Sequence, residues 1–388
     1  MWWKFKLFFA ILVLSEIVHL ASSVNVVCYF SSWTTYRPGN GKYNAANLPA
    51  DLCTHVLYAF VGIDYQGNLV ILDDWEAEGL KELQHLQEKK NENPKLKVMV
   101  SMGGWNEGSE KYSHVVSNSS LRKNLIDSIL VFLNKFKFDG FDLDWEYPNQ
   151  RGGSPEDVEN LTLLLKELKE AFKPKNYTLS IAASGGVESA SVSYNISAVG
   201  KIVDFINVMT FDYHGNWDSY VGHSSPLYPS HLDTGSNRLL NVNSGIEYWI
   251  QQGAPLSKIY ISLASYGRCF TLANANNSSL YAPTQGPCRP GPYTREAGTV
   301  GYNEICELYS DYKRIWDDEQ KVPHKIKDNQ WIGYDDIESI KLKTEYAKSL
   351  GLQGFMVWSL DTDDFLGICG SGKYPLINSA KTAWNDIL

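Results

Sequence analysis

The sequence is short of positive charge. Lys and Arg number 35 against 44 Asp and Glu, a formal net charge of −9 over 388 residues. With no basic surplus to neutralise phosphates, the composition argues against a nucleic-acid binder. Long apolar runs are missing too. Spanning a bilayer takes about 20 apolar residues, and the run Leu7–Leu14 falls far below that. There is no His-Glu-x-x-His pair to seat zinc and no Gly-x-Ser-x-Gly elbow to expose a serine nucleophile. Gly367 to Lys373 imitates a phosphate loop, but Tyr374 stands where Ser or Thr must reach magnesium. No Ser/Thr/Pro-rich linker and no cysteine-dense module follows the last strand candidate, so any binding surface is expected on the main domain itself.

What is abundant is aromatic: 15 Phe, 23 Tyr and 12 Trp, within a chain that is 44% apolar and 20% charged. That mix excludes a disordered chain. It suits a neutral ligand with flat apolar faces, and equally an ordinary core, so composition alone does not choose. Residues 1–23 read as a secretory signal, with Lys4 and Lys6 as the basic region, Leu7–Leu14 as the apolar run and Ala21-Ser22-Ser23 for cleavage. The expected product is a secreted, extracellular monomer free of the membrane. All six cysteines (Cys28, Cys53, Cys269, Cys288, Cys306, Cys369) follow that segment, and an even count in an oxidising compartment suggests up to three disulfides, with pairing left open. Glycosylation sequons occur at Asn118, Asn160, Asn176, Asn195, Asn276 and Asn277.

Short β-rich runs alternate with amphipathic ones. Strands are expected at 26–31, 55–63, 97–101, 140–145, 178–183, 205–210, 259–264 and 354–358, and helices at 121–136, 155–172 (capped by Ser154) and 337–350, stopped by Gly351. Eight strands with crossover helices imply parallel pairing and a closed (β/α)8 TIM barrel over 24–270 and 336–388. An open doubly wound sheet is the alternative. Residues 271–335 are rich in Gly, Pro and Asn and break the rhythm between strands seven and eight, so a small insertion domain is expected there.

The most informative stretch is Phe138-Asp139-Gly140-Phe141-Asp142-Leu143-Asp144-Trp145-Glu146-Tyr147-Pro148. Alternation on a strand sends Asp142, Asp144 and Glu146 to one face and Phe141, Leu143 and Trp145 to the other. The apolar face packs on the outer helices, so the carboxylates face the barrel interior, with Glu146 at the C-terminal end where such barrels open. Carboxylates this close cannot all ionise cheaply in a low-dielectric interior. At least one should stay protonated near neutrality, as a general acid requires, and Asp142 and Asp144 could share a proton. No His-rich partner or acidic loop accompanies them, so neither a metal nor a cofactor is expected.

Asp139, Asp142, Asp144 and Glu146 match the Asp-x-x-Asp-x-Asp-x-Glu pattern in full. With Cys28-Tyr29-Phe30, Ser101-Met102-Gly103-Gly104-Trp105, Asn207-Val208-Met209, Tyr266-Gly267-Arg268 and Gly354-Phe355-Met356-Val357-Trp358-Ser359, the chain resembles the family 18 glycoside hydrolases, the chitinases, most nearly the secreted animal (insect-like) ones with an α+β insertion. The resemblance implies hydrolysis of β-1,4-linked N-acetylglucosamine polymers, chitin or chitooligosaccharides, through the substrate's own 2-acetamido group. Glu146 would be acid and then base. Asp144 would hold the acetamido N–H, and Asp142 would share a proton with Asp144. Trp33, Trp105, Trp217 and Trp358 would stack on sugars. Gly104, Tyr147, Met209, Phe211, Asp212, Tyr266 and Arg268 would complete the substrate site, while Tyr29, Phe60 and Asp139 support the barrel. It further implies Cys28–Cys53 and Cys306–Cys369 bridges, leaving Cys269–Cys288 as a hypothesis.

One departure stands out. Family members usually read Met-x-Tyr-Asp after the sixth strand, and this chain reads Met209-Thr210-Phe211-Asp212-Tyr213. Phe211 lacks the hydroxyl that would bond the acetamido oxygen, and Tyr213 carries one two residues on, facing the same way if the strand continues. An active but slowed enzyme is expected. The alternative is a chitin- or oligosaccharide-binding lectin on the same fold, although lectin relatives usually lose the acid that Glu146 provides.

Overall fold

The structure is a computed structural model that describes residues 24–386. The signal segment expected at 1–23 lies outside the described residues. Eight parallel strands form the centre: β1 Asn25–Ser31, β2 His55–Ile63, β3 Lys97–Gly103, β4 Gly140–Asp144, β5 Thr178–Ser184, β6 Phe205–Met209, β7 Ile259–Ala264 and β8 Gly354–Trp358. Each pairs with the next, β8 pairs with β1, and the sheet closes into a barrel. A short strand, Leu69–Ile71, adds antiparallel to β2. All eight expected strands are present, three with the expected ends and five with one end shifted by one or two residues.

Strand alternation explains the two cores. Val26, Cys28 and Phe30 of β1 and Phe141 and Leu143 of β4 point outward into the apolar layer beneath the helices, together with Trp145 just past β4. Fully burying one such side chain stabilises by about 1.5–3 kcal/mol. Val27, Tyr29, Leu57, Met99, Phe205, Tyr260 and Met356 fill the barrel interior. The rings of Phe205 and Tyr260 stack there at 4.9 Å, with His55 edge-on to Phe205. Asp139 laces one end: its carboxylate accepts from the Val98 N–H at 2.8 Å and pairs with Lys90 at 2.6 Å.

The helix expected from Pro155 begins instead at Asp157. Ser154 does not cap it with its hydroxyl. The Asp157 carboxylate reaches back and accepts from the N–H groups of Ser154 (2.8 Å) and Asn149 (3.2 Å), which fixes the turn leading into the helix.

Between β7 and β8 lies a second, antiparallel sheet. Its strands are Tyr266–Leu272, Thr284–Pro287, Thr299–Gly301, Lys313–Asp317, Val322–Lys327 and Gln330–Gly333, with a helix at Tyr302–Leu308. It opens at Tyr266, directly after β7, ahead of the boundary expected at 271. The early start matters because Tyr266 and Arg268 thereby leave the sheet at the barrel mouth. Lys343 and Asp335, both fully buried, clamp this region to the helix Ile337–Ser349 at 2.5 Å, and Lys343 also donates to Ser225. Disulfides join Cys28–Cys53, Cys269–Cys288 and Cys306–Cys369. Among the sequon asparagines, Asn118 and Asn195 cap helices with their side chains, and Asn160 lies within the helix that starts at Asp157. No helix of the described residues is long and apolar enough to cross a membrane.

Candidate active site

Strand β4 carries the acidic residues inward. Asp142 is fully buried and held by three hydroxyls: Tyr29 at 2.6 Å and Ser101 at 2.7 Å donate to Oδ2, and Ser180 at 2.6 Å donates to Oδ1. Ser101 and Ser180 stand directly beside Asp142 in the registers of β3 and β5. Neither was singled out from the sequence for this role, because only the register makes them neighbours. Burial raises the Asp142 carboxyl, and the three donors oppose it.

Asp144 lies one step higher, nearly fully buried, and its Oδ1 has no hydrogen-bond partner among the described residues. Asp142 below it already accepts from three hydroxyls. Burial first, then the neighbouring charges of Glu146 and Asp142, push its carboxyl well above the usual range. The strand ends at Asp144, one residue short of expectation, so Glu146 sits beyond the sheet at the mouth. It is half-buried, and burial raises its carboxyl to about 7. The Tyr147 hydroxyl opposes that shift, the Asp212 charge adds to it, and Arg151 and Arg268 pull it back.

Two glycines let β3 approach this strand. Gly103 has φ 124°, and a Cβ there would lie 2.0 Å from the Asp144 carbonyl oxygen. Gly104 has φ 84°, donates to the same carbonyl at 2.8 Å, and leaves room for the Phe60 ring. Its contribution is to shape the backbone at the mouth.

Aromatic side chains surround the carboxylates. Trp358 ends β8 and is half-buried, packed against Tyr29 at 5.1 Å, Phe60 at 5.7 Å and Trp33 at 6.3 Å. Trp33, Trp105 and Trp217 are 43%, 58% and 57% exposed, unusual for a residue type that is highly buried on average. Met209, Tyr147 and Phe211 pack with Trp358 against the interior cluster. Asp212, at φ 59°, accepts Tyr266 Oη–H at 2.7 Å and a two-pronged pair from Arg268 Nε and Nη2 at 2.7 and 2.6 Å. Arg268 also lies 5.3 Å from the Trp217 ring centre.

The structure corrects one expectation here. Strand β6 stops at Met209, so alternation does not carry on to residue 213. Tyr213 is buried in the outer core, and its hydroxyl donates to the Gly185 carbonyl at 3.2 Å. It does not replace the hydroxyl missing at Phe211, which lies edge-on to Tyr266 at 5.9 Å.

A closed parallel barrel with paired carboxyl groups at its C-terminal mouth and exposed Trp around them is the build of a carbohydrate-cleaving enzyme. The family model for glycosyl hydrolases family 18 matches residues 25–363, and the chain belongs to that family. Chitotriosidase-1 of Mus musculus is 38% identical over 381 residues, covering 95% of this chain and 80% of its own. The Ostrinia furnacalis Group IV chitinase superposes with a TM-score of 0.92 at 39% identity, over 94% of this chain and 100% of its own. Human YKL-39, described as a pseudo-chitinase with retained chitooligosaccharide binding, superposes at 0.88 with 36% identity, over 94% and 100%. The protein is a glycoside hydrolase.

Proposed function

We propose that this protein is a secreted endo-acting chitinase that cleaves β-1,4 links between N-acetylglucosamine units with retention, using the substrate's acetamido group as nucleophile. The observation that carries the reading is the Glu146 carboxyl at the barrel mouth, just past the end of the strand that buries Asp144 with an Oδ1 free of partners among the described residues; burial raises the carboxyl of Glu146 to about 7 and that of Asp144 well above the usual range. Such a group is protonated often enough to act as acid and gives up its proton readily enough to act as base. Glu146 protonates the glycosidic oxygen. As that bond breaks, the acetamido carbonyl oxygen attacks the anomeric carbon from the opposite face and forms an oxazolinium ion. Asp144 accepts the acetamido N–H, and its partnerless Oδ1 supports that role. Water, deprotonated by Glu146, then attacks the same carbon and reopens the ring with net retention.

Trp358 floors the cleft under the reacting sugar, Trp33, Trp105 and Trp217 offer flat faces along it, and Arg268, Asp212 and Tyr266 meet polar groups. The rival reading, a binding protein like the pseudo-chitinase, draws only on Phe211. Release of oligosaccharide from a soluble chitin derivative, abolished by Glu146→Gln, is the expected outcome. Binding without release by the unaltered protein would favour the rival.

A further inference from the structure

Trp105 opens a short turn, Trp105–Glu107, in which no residue is buried, and Gly104 and Gly108 flank it at φ 84° and 65°. An indole this exposed, between two glycines, has no packing of its own to fix its plane. Arg151 provides it. The guanidinium carbon lies over the Trp105 ring, 3.5 Å from its centre. From the same guanidinium, Nη1 donates to the Trp105 carbonyl at 2.7 Å and to the Glu146 carbonyl at 2.9 Å.

The two loops are laced further along. The Ser109 N–H donates to the Arg151 carbonyl at 3.3 Å, the Ser109 hydroxyl donates to the Tyr147 carbonyl at 2.8 Å, and Trp145 Nε1 donates to that hydroxyl at 2.9 Å. A planar guanidinium stacks with its face and donates with its edge at the same time, which an ammonium cannot do.

We propose that Arg151 is a positioning residue: it covers one face of Trp105, presents the other face to a sugar, and ties that platform to the peptide of Glu146. The proposal rests on the reading of Trp105 as a sugar platform. Arg151 touches no substrate atom in this account and acts through Trp105 and the Glu146 backbone. Its charge has a second effect, since it is one of two cations that hold the Glu146 carboxyl down against burial.

The test is steady-state hydrolysis of chitohexaose by Arg151→Ala, Arg151→Lys, Trp105→Ala and the Arg151→Ala/Trp105→Ala double variant, each across pH. For Arg151→Ala, KM should rise roughly three- to tenfold, the scale of losing a stacked cation from an aromatic face. The alkaline limb of kcat/KM should move to higher pH. Arg151→Lys should restore the limb, because the charge returns, but not KM, because the flat fork does not. The double variant should show the KM of Trp105→Ala alone, since neighbours acting through one another are not additive.

Wild-type KM in Arg151→Ala, full KM rescue by lysine, or multiplicative losses in the double variant would each overturn the proposal. If Trp105→Ala itself leaves KM unchanged, the platform reading fails, and the proposal fails with it for that separate reason.

Discussion

Restoring a hydroxyl at position 211 tests the catalytic reading most sharply. Phe211 is half-buried at the barrel mouth, beside Met209, Tyr147 and Trp358, with its ring at 72° to that of Tyr266. Phe211→Tyr adds one donor on the side of the cleft where the acetamido oxygen gains charge in the proposed mechanism. Removing a preorganised donor of this kind costs about 10²–10³ in rate. A newly introduced hydroxyl has no partner of its own to orient it, so the gain should be smaller: kcat higher by about 10- to 100-fold, at about 1.4 kcal/mol per factor of ten. The donor strengthens its bond in the transition state, so KM should move little.

The assay is turnover of a chromogenic chitotrioside by the purified variant, alongside Tyr213→Phe. That control removes the hydroxyl bound to the Gly185 carbonyl. It should leave kcat unchanged and cost about 1 kcal/mol of stability, the typical worth of one buried hydrogen bond. A folded Phe211→Tyr enzyme with unchanged kcat would refute the reasoning, as would a collapse of kcat in Tyr213→Phe.

Two further outcomes follow from the charged groups. Catalysis needs Glu146 protonated, so kcat/KM should fall as pH rises through about 7, where its carboxyl ionises. Asp212→Asn removes a negative charge that raises that carboxyl and frees Arg268 to lower it, so a pH–rate profile should show this limb at lower pH. Lys343→Met leaves Asp335 buried without its cation, and urea unfolding should register a loss of about 3–5 kcal/mol, much of it recovered when Asp335→Asn is added.

The barrel was legible because strand and helix periods are written residue by residue. Phe141, Leu143 and Trp145 alternate with Asp142, Asp144 and Glu146, and only a strand with its apolar side on the helices satisfies both sets. Ends were less legible. Ser154 looks like a cap, but its hydroxyl accepts no helix N–H, and the Asp157 carboxylate three residues on instead ties down the preceding turn through the N–H groups of Ser154 and Asn149. Tyr213 looked like a neighbour of Phe211 under strand alternation, but the strand ends at Met209 and the tyrosine turns into the outer core.

Residue types and spacing by themselves determined the alternating architecture, the inward acidic strand and the gap at position 211, since these depend on neighbours along the chain. Only the tertiary structure decided what surrounds each carboxylate. Ser101 and Ser180 meet Asp142 through the registers of β3 and β5, and Arg151 reaches Trp105 from the neighbouring loop after β4. Those contacts join residues 41, 38 and 46 positions apart. Hydrogen bonding and burial act through space over a few ångströms, so no local pattern encodes them, and it is they that set which carboxyl is held by hydroxyls and which stays near neutrality.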